Sequence, residues 1–485
     1  MPSLKCPTCL KNYALEQPFI TCPICRGKLN VVYDYEEVRG KVSRDTLRSR
    51  GFNLWRYYEV LPVLPSWRIV SLGEGGTYLH RSFKLAERLR VKELYVKDET
   101  TNPTGSFLDR GASVLVTRAL WLKAETLTCA SAGNLGASLA AYAAKAGIKC
   151  IVYAPSKLDL GKLYQMTAYG ADLRLTKDLE EADMKARMEN TGYLASSIDP
   201  FFLEGVKITA WEICDQLNWE APDVLVIPMG SGGHLSMAWK ALKEMEVLGI
   251  IDRAKTRIIG VQPEGCAPIV KSFKEGKSEV EPIDKAETGI LDIGMKEPPY
   301  GNEALKAMKE SRGAAIAVSD QEALEAMKLL ARLEGVFSEP AASSTVAGLL
   351  KLLSEGEIDR GEKIVCIITG EGLKDPKAVL SLAEDKLKVG SFIVSIKPHS
   401  KLGKAKLEIL KILSNGTLHG YGLRALLEKE RGISLKLPSL YQHLEELKEL
   451  GFIREAGVEV VKGRWRRLYD LTEKGRKLLE GMSEV

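Results

Sequence analysis

Val224-Leu225-Val226-Ile227-Pro228-Met229-Gly230-Ser231-Gly232-Gly233-His234-Leu235 reads as an apolar strand, a glycine-rich turn and the start of a helix. Glycines in such a turn let backbone N–H groups converge on a phosphate at the helix N-terminus. The dinucleotide pattern GxGxxG is not met, because position 235 is Leu, so the loop alone suits a tight turn as well as a phosphate cup. Outward from this stretch the same alternation recurs. Strand-like runs at Leu94–Val96, Cys150–Tyr153, Ile258–Val261 and Ile364–Ile368 are separated by helical stretches such as Gly136–Ala146 and Gln321–Leu333. Strands that alternate with helices over some three hundred residues imply an α/β fold with mostly parallel sheets.

The chain has 485 residues, which at about 100 to 200 residues per domain argues for two to four folding units. A 45% hydrophobic and 27% charged composition is that of a globular chain and excludes disordered and fibrous classes. No apolar run reaches the ~20 residues of a bilayer span, and the first residues lack a signal-peptide apolar block. The expected location is therefore the cytoplasm, with no membrane partner.

Four of the nine cysteines fall in the first 25 residues, as Cys6-Pro7-Thr8-Cys9 and Cys22-Pro23-Ile24-Cys25. Each CxxC turn aims two thiolates at one point, so the two together predict a closed, structural tetrahedral zinc site. About 30 residues cannot bury enough core to order themselves without such a staple. The expected divisions are a zinc ribbon over 1–30, a connecting arm over 31–70, an α/β body over 71–390, a linker over 391–402 and a final domain over 403–485.

That last domain carries the charge. Residues 401–485 hold 17 Lys and Arg against 12 Asp and Glu, so the whole net charge of +5 resides there. Leu407, Leu410 and Leu413, then Leu423, Leu426 and Leu427, then Leu440, Leu444 and Leu447 mark three helices by their spacing. Two strand-like runs, Phe452–Arg454 and Arg466–Leu471, flank the turn Lys462-Gly463-Arg464. Three helices and a two-stranded wing describe a winged helix-turn-helix.

The motifs around the glycine loop are Ser71-Leu72-Gly73-Glu74-Gly75-Gly76-Thr77, Asn102-Pro103-Thr104-Gly105-Ser106-Phe107, Asp109-Arg110-Gly111, Ser131-Ala132-Gly133-Asn134 and Thr369-Gly370-Glu371-Gly372-Leu373-Lys374-Asp375. In this order and spacing they resemble threonine synthase, a family of fold type II (tryptophan synthase β-like) pyridoxal phosphate (PLP) enzymes. The likeness covers most of residues 50–385 and extends to the zinc-ribbon-like N-terminus of some relatives.

The resemblance implies that Gly230, Ser231, Gly232 and Gly233 hold the cofactor phosphate, that Asn134 bonds the ring hydroxyl and that Thr369 faces the pyridine nitrogen. In the family the segment reads NPTGSFKDRG, and its lysine forms the Schiff base and shuttles protons. Here that position is Leu108. A leucine has no amine and no proton to move, and proton-shuttling groups of this kind contribute ~10²–10⁴ in rate. Two further departures accompany it: the family's SSGNTG becomes Ser131-Ala132-Gly133-Asn134-Leu135-Gly136, and an arginine expected near the substrate phosphate becomes Phe202, after an acidic Asp199. Loss of the guanidinium fork removes a phosphate ligand. Leu108, Leu135 and Phe202 together predict an apolar, catalytically silent pocket. Lys162 and Lys207 match family lysines near the pocket and leave open a displaced base. Ser106, Arg110, Lys97 and Glu371 suit structural pairing as well as a functional role.

His419-Gly420-Tyr421, Pro438-Ser439-Leu440-Tyr441 and Arg466-Arg467-Leu468-Tyr469-Asp470-Leu471-Thr472-Glu473-Lys474-Gly475 resemble the PadR family of winged-helix repressors. The resemblance implies a recognition helix from about Pro438 to Leu450 that turns Ser439, Gln442 and His443 toward a major groove, with Lys462, Arg464, Arg466 and Arg467 on a basic wing. Relatives dimerise through a helical extension after the wing, whereas this chain stops soon after Leu479; dimerisation would fall to the body. The combined expectation is a ligand-responsive, DNA-binding homodimer that senses an amino acid or a PLP adduct. The alternative is an active PLP lyase or synthase of altered specificity with a regulatory tail; a partner that modulates a genuine threonine synthase is a third.

Overall fold

The computed structural model describes residues 2–156, 159–189, 192–376, 378, 387–389, 392–394, 404–461 and 464–483. The chain divides into two compact units, residues 1–382 and 383–485.

The first unit holds two sheets. Alternating βα connections generate a six-stranded sheet in the order Ala314–Val318, Arg257–Pro263, Val224–Pro228, Lys363–Ile368, Glu93–Asp98 and Tyr78–Arg81. Its pairings are parallel except at the last strand, which is antiparallel and closes the edge. Parallel strands demand cover on both faces, and the central run Val224–Pro228 is buried at every residue. A second, four-stranded parallel sheet runs Asp172–Thr176, Lys149–Pro155, Thr126–Ala130 and Tyr193–Leu194. All the strand-like runs expected in the body are strands.

The first seventy residues share the core of that body. Leu4, Leu15, Leu29, Val31, Leu47 and Tyr57 belong to one buried cluster with Trp211, Leu225, Ile227 and Leu242. The ribbon is a small antiparallel sheet ordered Asn12–Tyr13, Ser3–Lys5 and Asn30–Val32. Across the expected junction of body and linker, Leu387–Val389 pairs antiparallel with Phe392–Val394; residues 395–403 lie outside the described ones.

The second unit contains helices Lys404–Leu413, Gly420–Arg431 and Leu437–Glu449, then the hairpin Ile453–Val461 and Arg464–Leu471. Leu410, Leu413, Leu423, Leu427, Leu440, Leu444 and Leu447 build its core, the 3.6-residue spacing having placed them on inward faces. Two features amend the expected plan. Leu418–His419 adds a third strand to the wing, and a helix, Glu473–Ser483, follows it, so the chain does carry a helical segment beyond the wing. Among the described residues no helix is long and apolar enough to cross a membrane.

Candidate functional site

The strand Lys363–Ile368 delivers Thr369 and Gly370 to the C-terminal edge of the six-stranded sheet. There the chain meets the Asn102–Leu108 segment. The Phe107 N–H donates to Thr369 O at 3.0 Å, Ser106 bridges Gly370, and the Glu371 N–H donates to Gly105 O at 3.0 Å. Helix Leu108–Trp121 starts from this seam. Its first turn is fixed from beneath. The Arg110 guanidinium donates to both Glu212 oxygens at 2.7 Å and to Glu99 at 2.6 and 2.8 Å, and Lys97 Nζ donates to Glu212 at 2.9 Å, all fully buried. Burial alone would raise Glu212, but Arg110 and Lys97 override it and hold the carboxyl down at about 2. Arg110 and Lys97 thus pair structurally, and no ionisable group of theirs is left for chemistry.

Around Thr369 lies a compact set of charges. Asn134, the first residue of helix Asn134–Ala146, donates from Nδ2 to Glu339 at 2.8 Å. Lys162 Nζ lies 3.2 Å from Glu339 and 2.6 Å from Asp292. Burial opposes the Lys162 charge, yet Glu339, Asp292 and Asp159 outweigh it and raise its pKa. Glu339 is pushed up to about 7 by burial and by Asp292. Lys374 Nζ donates to Thr104 O at 2.6 Å, and burial lowers its pKa despite nearby Glu339 and Asp109. Asp109 is raised to about 6 by burial while accepting two bonds from Thr104 at 2.7 Å.

The glycine loop abuts this set. A Cβ on Gly230 would lie a tight 3.1 Å from Asp292 O, and one on Gly232, whose φ is +83°, 2.5 Å from Tyr300 O, so that glycine is required at 232. The loop is pinned by the Tyr300 N–H, which donates to Ser231 O at 2.8 Å, and it opens helix Gly233–Val247. His234, in the first turn, stacks on Phe107 with centroids 4.4 Å apart. Burial lowers it to about 4, so it is neutral near pH 7.

Asn134, Thr369 and the loop residues Gly230 to Gly233 are therefore linked through a chain of contacts: Asn134 bonds Glu339, Lys162 bridges Glu339 and Asp292, Asp292 O lies against Gly230, and the Glu339 N–H donates to the O of Gly370, next to Thr369. They fit a phosphate-bearing pyridine cofactor. The loop opens helix Gly233–Val247, whose N-terminus favours an anion, and Asn134 Oδ1 is buried without a hydrogen-bond partner. Leu108 stands half-buried at the start of its helix; with Leu135 it packs against the cluster in which Phe202 is buried.

Several expectations need correcting. Lys207 is not in the pocket: it is fully buried between Glu204 and Glu244 beneath the Tyr33 ring, a bridge between helices and arm. Asp199 caps helix Pro200–Gln216 through the Phe201 N–H at 2.8 Å and bonds Tyr193, so its charge serves the fold. Phe202 lies within the core against Gly111, and the pocket is not simply apolar, since Lys162, Glu339, Asp292 and Lys374 meet there. Asp292 and Glu339 escaped the sequence reading. The only available signals were the Glu339-Pro340 helix start and, for Lys374, its place beside Thr369.

The four N-terminal thiols are gathered as expected. The sulfurs of Cys6, Cys9, Cys22 and Cys25 all lie within 4.8 Å of one another, a donor set that fits a tetrahedral zinc ion. The ribbon they organise is tied to the body by Arg118, which donates to Phe19 O at 3.2 Å, and by Lys28 to Glu303 at 2.7 Å.

In the second unit Ser439 and Gln442 are exposed on helix Leu437–Glu449, Gln442 donating to Glu446 at 3.1 Å. His443 is half-buried, its Nδ1 3.8 Å from Glu446. Arg466 lies over the Tyr421 ring at 4.2 Å, and Arg467 is exposed beside Glu455 at 3.2 Å. Arg464 starts the second wing strand; Lys462 lies outside the described residues. Between these cations stands Trp465, which the sequence reading passed over.

A parallel sheet carrying a glycine loop at a helix start, an asparagine helix start and a threonine strand end defines a class, and comparison with known proteins agrees. The chain belongs to the pyridoxal-phosphate dependent enzyme family, whose pattern matches residues 70–370, while residues 409–481 match the transcriptional regulator PadR-like family. Within the first family it is similar to threonine synthases. That of Methanocaldococcus jannaschii is 49% identical over 390 residues, 79% of this chain and 96% of the relative; that of Methanosarcina acetivorans is 41% identical over 84% of this chain and all of the relative. Among solved structures, the processed form of threonine deaminase isoform 2 from Solanum lycopersicum shares the fold, with a TM-score of 0.54 at 23% identity over 63% of this chain and 88% of that one.

Proposed function

We propose that the protein is a ligand-responsive transcription regulator. In this reading the threonine synthase-like unit no longer turns over substrate and instead senses an amino acid or a PLP adduct, while the PadR-like unit binds DNA. One observation carries the reading: Leu108, which has no amine, opens its helix next to the seam with Thr369, in a chain that continues into a PadR-like unit. PLP, when bound, supplies an electron sink and an aldehyde. Gly230 to Gly233 would hold its phosphate, Asn134 its ring hydroxyl and Thr369 its ring nitrogen. At position 108 no group of this chain can attach it or move a proton.

Sensing then amounts to a coupling free energy between pocket and DNA affinity, reciprocal by necessity. The test is titration of DNA, from a duplex pool selected with the full-length chain, without and with PLP and a panel of amino acids. Some ligand should shift DNA affinity severalfold without product appearing. Unchanged affinity under every saturating ligand ends the sensing reading.

A second reading is favoured by the 49% identity to a threonine synthase and by Lys162 and Lys374 in the pocket. Here the chain is an active PLP enzyme with a regulatory tail. Turnover of an amino acid that stops when PLP is omitted would establish it. In either reading we take the four cysteines to hold a structural zinc ion and the active species to be a cytoplasmic homodimer; metal analysis and sedimentation test these directly.

A further inference from the structure

We propose that Trp465 is a DNA-contacting residue, an apolar wedge on the wing that seats its indole against the sugar walls of a minor groove. The proposal rests on the reading of the second unit as DNA-binding and names the mode of contact.

The chain has seven tryptophans, and Trp67, Trp211, Trp219 and Trp239 are all less than 9% exposed. Trp465 is 76% exposed, the highest value among the described large hydrophobic side chains. An indole left in water adds nothing to the stability of the unit that carries it. Its exposure follows from how the hairpin is built. Side chains alternate along a strand, so Trp465, Arg467 and Tyr469 share one face of Arg464–Leu471. Tyr469 is buried in the core of the unit at 2%. The hairpin then outruns that core, and the same face emerges to present Arg467 and finally Trp465.

The hairpin is also braced. Arg466, on the opposite face, lies 4.2 Å over the Tyr421 ring of helix Gly420–Arg431, which fixes the wing against the helices. Across the hairpin Trp465 pairs with Val460 and Arg467 with Val458, itself 57% exposed. One indole and one valine make far less than the ~800 Å² that a stable protein interface covers on each partner. Arg466 and Arg467 follow Trp465 directly, Arg467 being 63% exposed, in a unit that carries the whole net positive charge. Glu455 answers Arg467 and Lys448, and Asp470 answers Arg454, so the positive balance is that of the unit as a whole. A partner that is polyanionic yet offers apolar walls to an indole is a duplex, whose minor-groove deoxyriboses lie between phosphate rows. If the helix bearing Ser439 and Gln442 enters a major groove, a wing of this kind meets the flanking minor groove.

The experiment titrates full-length protein against a labelled random-sequence duplex of about 25 base pairs over a range of KCl. Trp465→Ala should weaken binding about ten-fold while leaving the slope of log affinity against log salt unchanged, and Trp465→Phe should keep most of it. Arg467→Ala should instead lower that slope by about one. Thermal unfolding of each variant guards against misfolding, which an exposed site should not provoke. Wild-type protein that binds no duplex would overturn the DNA reading and this inference together. Wild-type binding matched by Trp465→Ala overturns the inference alone, as would an effect of Trp465→Ala confined to self-association in sedimentation.

Discussion

Lys162 and Glu339 stand 3.2 Å apart in the pocket, and the second oxygen of that carboxylate accepts from Asn134. The pair joins the two sheets, for Lys162 follows a strand of the smaller sheet and Glu339 opens the helix before the strand that ends at Thr369. Lys162 stays charged, but Glu339 is held up to about 7 by burial and by Asp292, against 4.5 for a free carboxyl. Between those two values the folded chain carries more protons than the unfolded chain. Its stability should therefore fall as pH rises from 4.5 toward 7. Asp109, raised to about 6, contributes with the same sign. Glu339→Gln should remove the Glu339 share, and urea unfolding of both proteins across that window measures it. Parallel pH profiles for the two would show that Glu339 titrates normally.

Leu108→Lys places an amine at the first position of the helix Leu108–Trp121. The side chain is half-buried, so the lysine stem can follow the leucine path along the same apolar cluster while its head reaches the pocket. PLP followed by borohydride should label the introduced lysine, and peptide mapping locates it. The wild-type chain should take no label in that segment. A label on Lys374 in wild type would favour the active-enzyme reading, because burial lowers the pKa of that amine.

The α/β alternation and the heptad-like leucines of the tail were legible because each depends on local periodicity. So were the cysteine knuckles and the glycine loop, where one short segment supplies all the geometry. Glu339, Asp292 and Lys374 were not. Each lies far along the chain from its partner, 177 residues in the case of Glu339 and Lys162, and a lone acid gives no sign of what it faces. Lys207 and Asp199 were misread for the complementary reason. Their neighbours in sequence adjoin a pocket motif, while their side chains point along helix Pro200–Gln216 into Glu204, Glu244 and Tyr193. Trp465 was passed over because exposure is a tertiary property.

The ribbon shares its core with the body, so metal loss should be felt beyond the first thirty residues. Leu4, Cys6, Leu15 and Cys22 are each at most 1% exposed in the cluster that contains Trp211 and Ile227. Chelation, or Cys22→Ser, should lower the unfolding midpoint of the first unit and expose that cluster to a hydrophobic dye. Metal analysis should return one zinc per chain before chelation and none after. An unchanged midpoint would mean that the apolar contacts hold the ribbon without the ion.

Arg110 should be among the least replaceable residues of the chain, for reasons that are purely electrostatic. Its guanidinium is fully buried and answers two carboxylates, Glu99 and Glu212, whose further cation among the described residues is Lys97. Removing it leaves two buried acids facing one ammonium. Burial, which already acts to raise Glu212, would then prevail over the remaining attraction. Arg110→Ala should cost roughly 3–5 kcal/mol in urea unfolding, and the loss should shrink at low pH, where the stranded acids take up protons. Arg110→Lys should recover little, because an ammonium cannot span both acids as the planar fork does. The first turn that carries Leu108 rests on this network, so Arg110→Ala should also weaken PLP retention, read by cofactor absorbance after gel filtration. Retention equal to wild type in a destabilised variant would show that the network supports the fold without shaping the pocket.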